Sequence, residues 1–213
     1  MHAPILPVVG SPRESRGRAH GAPPLDALRL HHGTIWSWNR AVYDPTGDGH
    51  LRIELRTLPA GPTVIDMCAN TALLVGLTLG LAEHVEALVT ALPFECASRN
   101  FYRAAKHGLD AELAWPSKRA PSPGTIRADK LVLSLLPVAE RGLAKAGVDR
   151  DEIERYLSII RARVERRQTG ALWLERALAC ARSTDREAAL REVLGRYLEH
   201  SRSGAPVHEW PSF

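Results

Sequence analysis

One stretch of strict period-two alternation constrains this chain more than any other feature: Leu51-Arg52-Ile53-Glu54-Leu55-Arg56-Thr57. Alternation of this kind sends Leu51, Ile53 and Leu55 to one face of a β-strand and Arg52, Glu54 and Arg56 to the other. Before it stands Asp44-Pro45-Thr46-Gly47-Asp48-Gly49, a dense turn signal. Before that, Thr34–Tyr43 is aromatic and β-branched. Two strands around such a loop predict an antiparallel hairpin over about 34–58, inside a β pattern that begins near Leu30. No other segment reads convincingly as a strand. A lone hairpin is marginal in water, so this one must pack on helices or join strands supplied from elsewhere, and its open edge is expected to seek a partner.

After Pro59-Ala60-Gly61-Pro62 the pattern turns helical almost throughout. Thr63 and Asp66 have capping-box spacing, and a helix is expected from there to about Leu92, ended by Pro93. A second should span Phe94–His107 and stop at Gly108. Trp115–Ala128, with three prolines and a glycine, reads as a loop. Beyond it, helices are expected over Asp129–Ala146 (kinked or split at Pro137), from an Asp149 cap through Val164, over Gly170–Arg182, and from a Ser183 or Thr184 cap through Leu198. Pro206–Phe213 reads as irregular. Residues 1–24, rich in Pro, Gly and Arg, read as a flexible leader. The expected class is α+β: residues 25–210 form one domain, a β-hairpin packed on a mainly helical C-terminal bundle over about 63–201.

The chain has 213 residues and a formal net charge of +4, with arginines scattered along helical faces, so no nucleic-acid partner is called for. Cys68, Cys96 and Cys180 are odd in number and lack metal-type spacing, and Met1–Gly10 does not read as a signal peptide. A reduced, cytoplasmic setting is the expectation. The most apolar run, Val64–Ala82, contains Asp66 and Asn70 and is read as a buried core helix, not a membrane span.

The charged strand face is where chemistry is sought. Successive same-face positions lie about 6–7 Å apart. Two uses of that face are open: a solvated surface with charges paired across strands, or a carboxylate between two guanidiniums where a divalent cation and phosphate oxygens meet. Arg40, at the end of the aromatic strand, joins the set if the register brings it close. Trp36 and Trp38 fit core packing better than purine stacking. His31 and His32, as neighbours on a strand, would point to opposite faces and are read as structural. Asn70 is read as a polar contact to the preceding turn, or part of a site wall. Asn100, Arg103 and His107 share a helical face without further signal.

The run from His32 to Asp44, the run from Leu51 to Thr63, Asn100-Phe101 through Lys106-His107-Gly108-Leu109-Asp110-Ala111, Thr169-Gly170-Ala171-x-Trp173 and Pro206-Val207-His208-x-Trp210 follow one another in order. Together they resemble the bacterial glutamate–cysteine ligase family, which includes the carboxylate–amine ligases. The resemblance implies a glutamine synthetase-like fold and an acyl-phosphate mechanism, with ATP and Mg2+ (or Mn2+) as cofactors. It implies Glu54 as a metal ligand, Arg56 as the catalytic residue at the transferring phosphate or substrate, and Arg40 with Arg52 on the nucleotide side. Family members are about twice as long, and their first half carries further strands and metal carboxylates. The chain is therefore expected to need a separate N-terminal half or a homo-oligomer. The alternative is a non-catalytic remnant serving as a nucleotide-binding or assembly module.

Overall fold

The computed structural model describes residues 21–34, 38–117 and 122–211, and is α+β. The chain forms two compact units, residues 1–59 and 60–213.

In the first unit, α1 (Asp26–Gly33) is followed by the hairpin β1 (Asn39–Asp44) and β2 (His50–Leu55). The β pattern expected from Leu30 thus begins later: Leu30–Gly33 is helical. Ile35, Trp36 and Ser37 lie outside the described residues. The strands are antiparallel with Arg40 opposite Glu54, Val42 opposite Arg52 and Asp44 opposite His50. Local chemistry closes the hairpin: the Asp44 carboxylate accepts the Thr46 N–H at 3.0 Å and its hydroxyl at 2.6 Å. These bonds, with Arg52 beside them, hold the Asp44 carboxyl well below the usual carboxylate range. Gly47 and Gly49 take φ of 63° and 77°, which side chains rarely adopt. Tyr43 donates from its hydroxyl to the Pro23 carbonyl.

In the second unit, α2 (Val64–Leu81) begins on the Thr63 cap, whose hydroxyl accepts the Asp66 N–H. The single helix expected to Leu92 is interrupted by a 3-10 turn at Ala82–His84 before α3 (Val85–Ala91). Then α4 (Phe94–His107) ends where expected, with Gly108 at φ 53°. Two further strands, β3 (Glu112–Trp115) and β4 (Gly124–Arg127), pair antiparallel across what read as a loop. They are four residues each, too short for a period-two signal to register. The Asn100 side chain supplies what a neighbouring strand would. It donates to the Ala114 carbonyl and accepts the Ala114 N–H, both at 2.7 Å, while Arg103 donates to the Glu112 carbonyl. That is the use of the Asn100–Arg103 face.

The remaining helices are α5 (Ala128–Lys145), α6 (Arg150–Glu165), α7 (Gly170–Ala179) and α8 (Arg186–Ser203). Pro137 sits inside α5 without splitting it. Asp185, not Ser183 or Thr184, caps α8 through a bond to the Ala188 N–H. The irregular tail contains a 3-10 turn, Val207–Glu209.

One core cluster joins α2, α5 and α6 through Ala69, Leu136, Ala139, Leu143, Ile153, Leu157, Ile159 and Ile160. The α2–α5 crossing is backbone-close. A Cβ on Gly142 would stand 2.1 Å from the Gly76 carbonyl oxygen and 2.6 Å from the Gly80 nitrogen. Backbone cannot yield as a side-chain tip does. Gly142→Ala is therefore expected to push the helices apart and cost about 1–3 kcal/mol, read as a lower urea midpoint. An unchanged midpoint would show that the crossing is looser than described.

The Val64–Ala91 stretch is long and apolar enough, by length and composition, to cross a bilayer, and only 17% of its apolar window is buried. The expected core helix is thus one-sided. Asp66, Ala69 and Gly76 face inward, while Val64, Met67, Val75 and Leu79 are exposed. A groove of about 390 Å³ runs beside that bare stripe, walled by Val64, Met67, Val75, Val148, Ile153 and Tyr156 among others.

Candidate functional site

Arg40, Glu54 and Arg56 come together. The register that sequence leaves unreadable places Arg40 directly opposite Glu54. The Arg40 guanidinium meets Glu54 Oε2 through Nε at 2.7 Å and Nη2 at 2.6 Å. Arg56, one pleat further along, holds its Nε 3.6 Å from Glu54 Oε1. The third donor of Arg40, Nη1, reaches the His32 carbonyl at 3.3 Å, which ties β1 to the end of α1. The carboxylate thus has a guanidinium on each oxygen.

Arg52 is not part of this group. Its Nη1 lies 3.1 Å from Asp44 Oδ2 and 2.8 Å from His50 Nε2, at the turn end of the hairpin. Same-face spacing along β2 made the three charges look equivalent. The cross-strand partners divide them, since Arg52 faces Val42 and the turn while Glu54 faces a cation.

Burial on the hairpin is inverted. Arg40, Glu54 and Arg56 are half-buried, with side chains 21%, 40% and 24% exposed. On the opposite face Leu51, Ile53 and Leu55 are exposed, Leu51 to 75%. An isolated hairpin gains nothing by displaying leucine and isoleucine while covering charge. A recess of about 370 Å³ in the same unit is lined by Gly21, Ala22, Pro24, Arg29, Pro45, Thr46 and Gly47, and contains none of the four nominated residues.

His31 and His32 belong to α1, not to a strand. Their rings are tilted at 6.0 Å, and His32 Nδ1 is buried without a hydrogen-bond partner. Among the described residues, no three His, Cys, Asp or Glu side chains converge as a metal-binding group. Among the described residues, Glu54 is the only carboxylate seen in its cluster.

In the second unit, three stretches singled out in the sequence meet where α2 begins. Gly170, at the start of α7, lies so close to Pro62 that a Cβ would stand 2.7 Å from its ring. Ser201 donates to the Pro62 carbonyl at 2.8 Å. Val207 donates its N–H to the Asp66 carboxylate at 3.1 Å. Asp66 is fully buried and also accepts the Thr63 hydroxyl at 2.8 Å and an Arg163 guanidinium N–H at 3.0 Å. Arg163 further donates to Asn70 Oδ1 at 2.6 Å and the Asp66 carbonyl at 3.0 Å. The Asn70 side-chain oxygen thus holds a helix 93 residues away. Arg163 was invisible as its partner because nothing local couples them.

A second ionic group surrounds the β4–α5 junction. Arg127 pairs with Asp129, and Arg167 with Asp110, both closely; Arg127 also stands 3.4 Å from Asp110. The Arg127 hydrogen bond holds the Asp129 carboxyl below its ordinary range.

No protein-family model, curated protein or solved structure matches this chain.

Proposed function

We propose that this chain is one part of an ATP-dependent carboxylate–amine ligase of the glutamate–cysteine ligase type, its hairpin belonging to a glutamine synthetase-like sheet whose other strands come from a separate polypeptide. The observation that carries this reading is the Arg40–Glu54–Arg56 cluster, half-buried on one hairpin face while the apolar face stands bare. Two guanidiniums against one carboxylate leave one net positive charge, suited to an entering polyphosphate. In the proposed reaction a substrate carboxylate attacks the γ-phosphorus of ATP, giving an acyl phosphate and ADP. An amine then attacks the acyl carbon, and phosphate leaves with formation of the C–N bond. Arg56 would neutralise charge on the transferring phosphoryl group, with Arg40 on the nucleotide side.

The described residues do not by themselves fit the Mg2+ or Mn2+ that such a reaction uses. Glu54 is a single carboxylate with a cation on each oxygen, whereas Mg2+ requires near-octahedral oxygen coordination. The ligands would come from the other polypeptide and the nucleotide. The same pairing favours the second reading, a nucleotide-binding or assembly module without catalysis, since both oxygens of Glu54 are already engaged.

Calorimetry with Mg-ATP tests the proposal. The chain is expected to bind, and Arg56→Ala to weaken binding about tenfold or more, the loss of one charge-assisted contact. Glu54→Ala releases both guanidiniums from that carboxylate and is expected to leave the Mg2+ dependence of binding unchanged. Absence of any heat with wild-type chain would remove the enzyme reading for this polypeptide alone. If binding is seen, ADP release over panels of glutamate and amines separates ligase from module.

A further inference from the structure

The segment Ala205–Pro211 is fastened to the rest of its unit almost wholly by side chains reaching its backbone. Gln168, itself buried, donates to the carbonyls of Val207 at 2.9 Å and Trp210 at 2.7 Å. Arg166 donates to the His208 carbonyl at 3.1 Å, and Trp173 to that of Pro211 at 3.2 Å. Asp66 receives the Val207 N–H. Trp210 turns its indole N–H back to the Ala205 carbonyl at 2.8 Å. So held, Val207 and Trp210 close the second hydrophobic cluster over Trp173, Ala177 and Val193.

In the middle of this segment sits His208, 8% exposed, with Nδ1 buried and unpartnered. The charged groups around it come from three elements. From α6 and its C-cap, Arg163 and Arg166 oppose a charged imidazole; from α2, Asp66 favours one; from its own turn, Glu209 favours one, with Oε1 3.6 Å from Nε2. The two carboxylates offset the two arginines, so burial carries the depression. Asp66 is also engaged by Thr63, Arg163 and Val207, and Glu209 is 54% exposed. The remaining titratable groups on this side, Tyr197 and His200 of α8, stack on the Trp210 ring at 5.4 and 5.3 Å.

We propose that Ala205–Pro211 is a proton-operated clasp: it is shut while His208 is neutral, and it opens when the buried His208 ring takes up a proton. Opening breaks the Val207–Asp66 bond, uncovers Trp173 and loosens the start of α2. Burial lowers the His208 affinity for protons below its ordinary value near 6.5, while Glu209 and Asp66 offset Arg166 and Arg163. The direction follows by linkage. A group whose folded pKa is depressed binds more protons when released, so closure is at full strength above pH 6.5 and weakens as the pH falls below it. Each unit of difference between the released and held pKa multiplies the open population about tenfold.

The test uses the full 15N-labelled chain from pH 8 to pH 5, with the indole N–H resonances of Trp173 and Trp210 assigned by Trp→Phe substitution. Both are expected to shift together with a midpoint below 6.5, while far-UV circular dichroism keeps its amplitude. Their proton exchange, corrected for intrinsic pH dependence, should rise about tenfold across the range. His208→Gln, neutral at every pH, should remove the transition. Its persistence in His208→Gln overturns the clasp, as does stationary indole resonances in wild type. Direct titration of the wild-type His208 ring is the second measurement, needing no variant to fold. A midpoint below 6.5 supports the proposal, and one at or above 6.5 sinks it.

Discussion

Replacing Asp66 by alanine is expected to lower the unfolding free energy by about 3–5 kcal/mol, the cost of stranding one member of a buried ion pair. Asp66 is 0% exposed, and its carboxylate receives the Arg163 guanidinium, the Thr63 hydroxyl and the Val207 N–H. Truncation leaves the Arg163 charge, whose side chain is 11% exposed, to the Asn70 side-chain oxygen and the Asp66 main-chain carbonyl alone. It also strands the Val207 N–H. Burial already works against the charged Arg163, with Asp66 the group that offsets it. Removing both partners should therefore cost less than the sum of the single changes: Asp66→Ala with Arg163→Met is expected to recover part of the loss. Urea unfolding followed by tryptophan fluorescence measures all three variants. A loss under about 1 kcal/mol for Asp66→Ala would mean the pair is solvated.

This pair also marks where sequence reasoning reached its limit. The Thr63–Asp66 spacing announced a helix start, and α2 does begin there. The spacing said nothing of Arg163, 97 residues on, because a capping box is a local device and a buried ion pair is not. The hairpin shows the same division. Alternation separated Leu51, Ile53 and Leu55 from Arg52, Glu54 and Arg56, as the strand shows. Alternation could not say that Glu54 stands against Arg40 while Arg52 turns to Asp44, since register is set by the loop between the strands. The loop was recognised as a turn, but its length alone did not fix the pairing.

Errors of type fell where local propensity was overridden. Aromatic and β-branched neighbours drew the β reading back to Leu30, yet Asp26–Gly33 carries an acid in its first turn and His31 and His32 in its last, which suits a helix dipole. Glu112–Trp115 and Gly124–Arg127 escaped because proline-rich sequence between them reads as loop, and because Asn100 completes their pairing from α4. Pro137 was expected to kink or split α5, and the helix runs through it unsplit. The inversion of burial on the hairpin could not be read from sequence at all. Periodicity distinguishes two faces but does not say which one is covered.

The second large effect belongs to Trp173. Its side chain is 1% exposed and forms edge contacts with Trp210 at 5.1 Å and His200 at 5.6 Å, with Tyr197 tilted at 6.1 Å. Because Val207 and Trp210 close over it, this ring gives the C-terminal segment an apolar surface to rest on. Trp173→Ala removes the more deeply buried of that cluster's two tryptophans and is expected to cost about 3–5 kcal/mol. Trp173→Phe keeps a ring but gives up the N–H donated to the Pro211 carbonyl. It should cost about 1 kcal/mol for that bond, plus the smaller packing loss. The two substitutions separate packing from tethering. If packing dominates, Trp173→Phe stays close to wild type in urea midpoint while Trp173→Ala falls far below it. Equal losses would instead assign the stability of the segment to its hydrogen bond. Limited proteolysis adds an independent reading, since cleavage after Arg202 should accelerate in Trp173→Ala as α8 loses the ring against which Tyr197 and His200 pack. Unchanged cleavage alongside a large loss of global stability would show that α8 holds without Trp173.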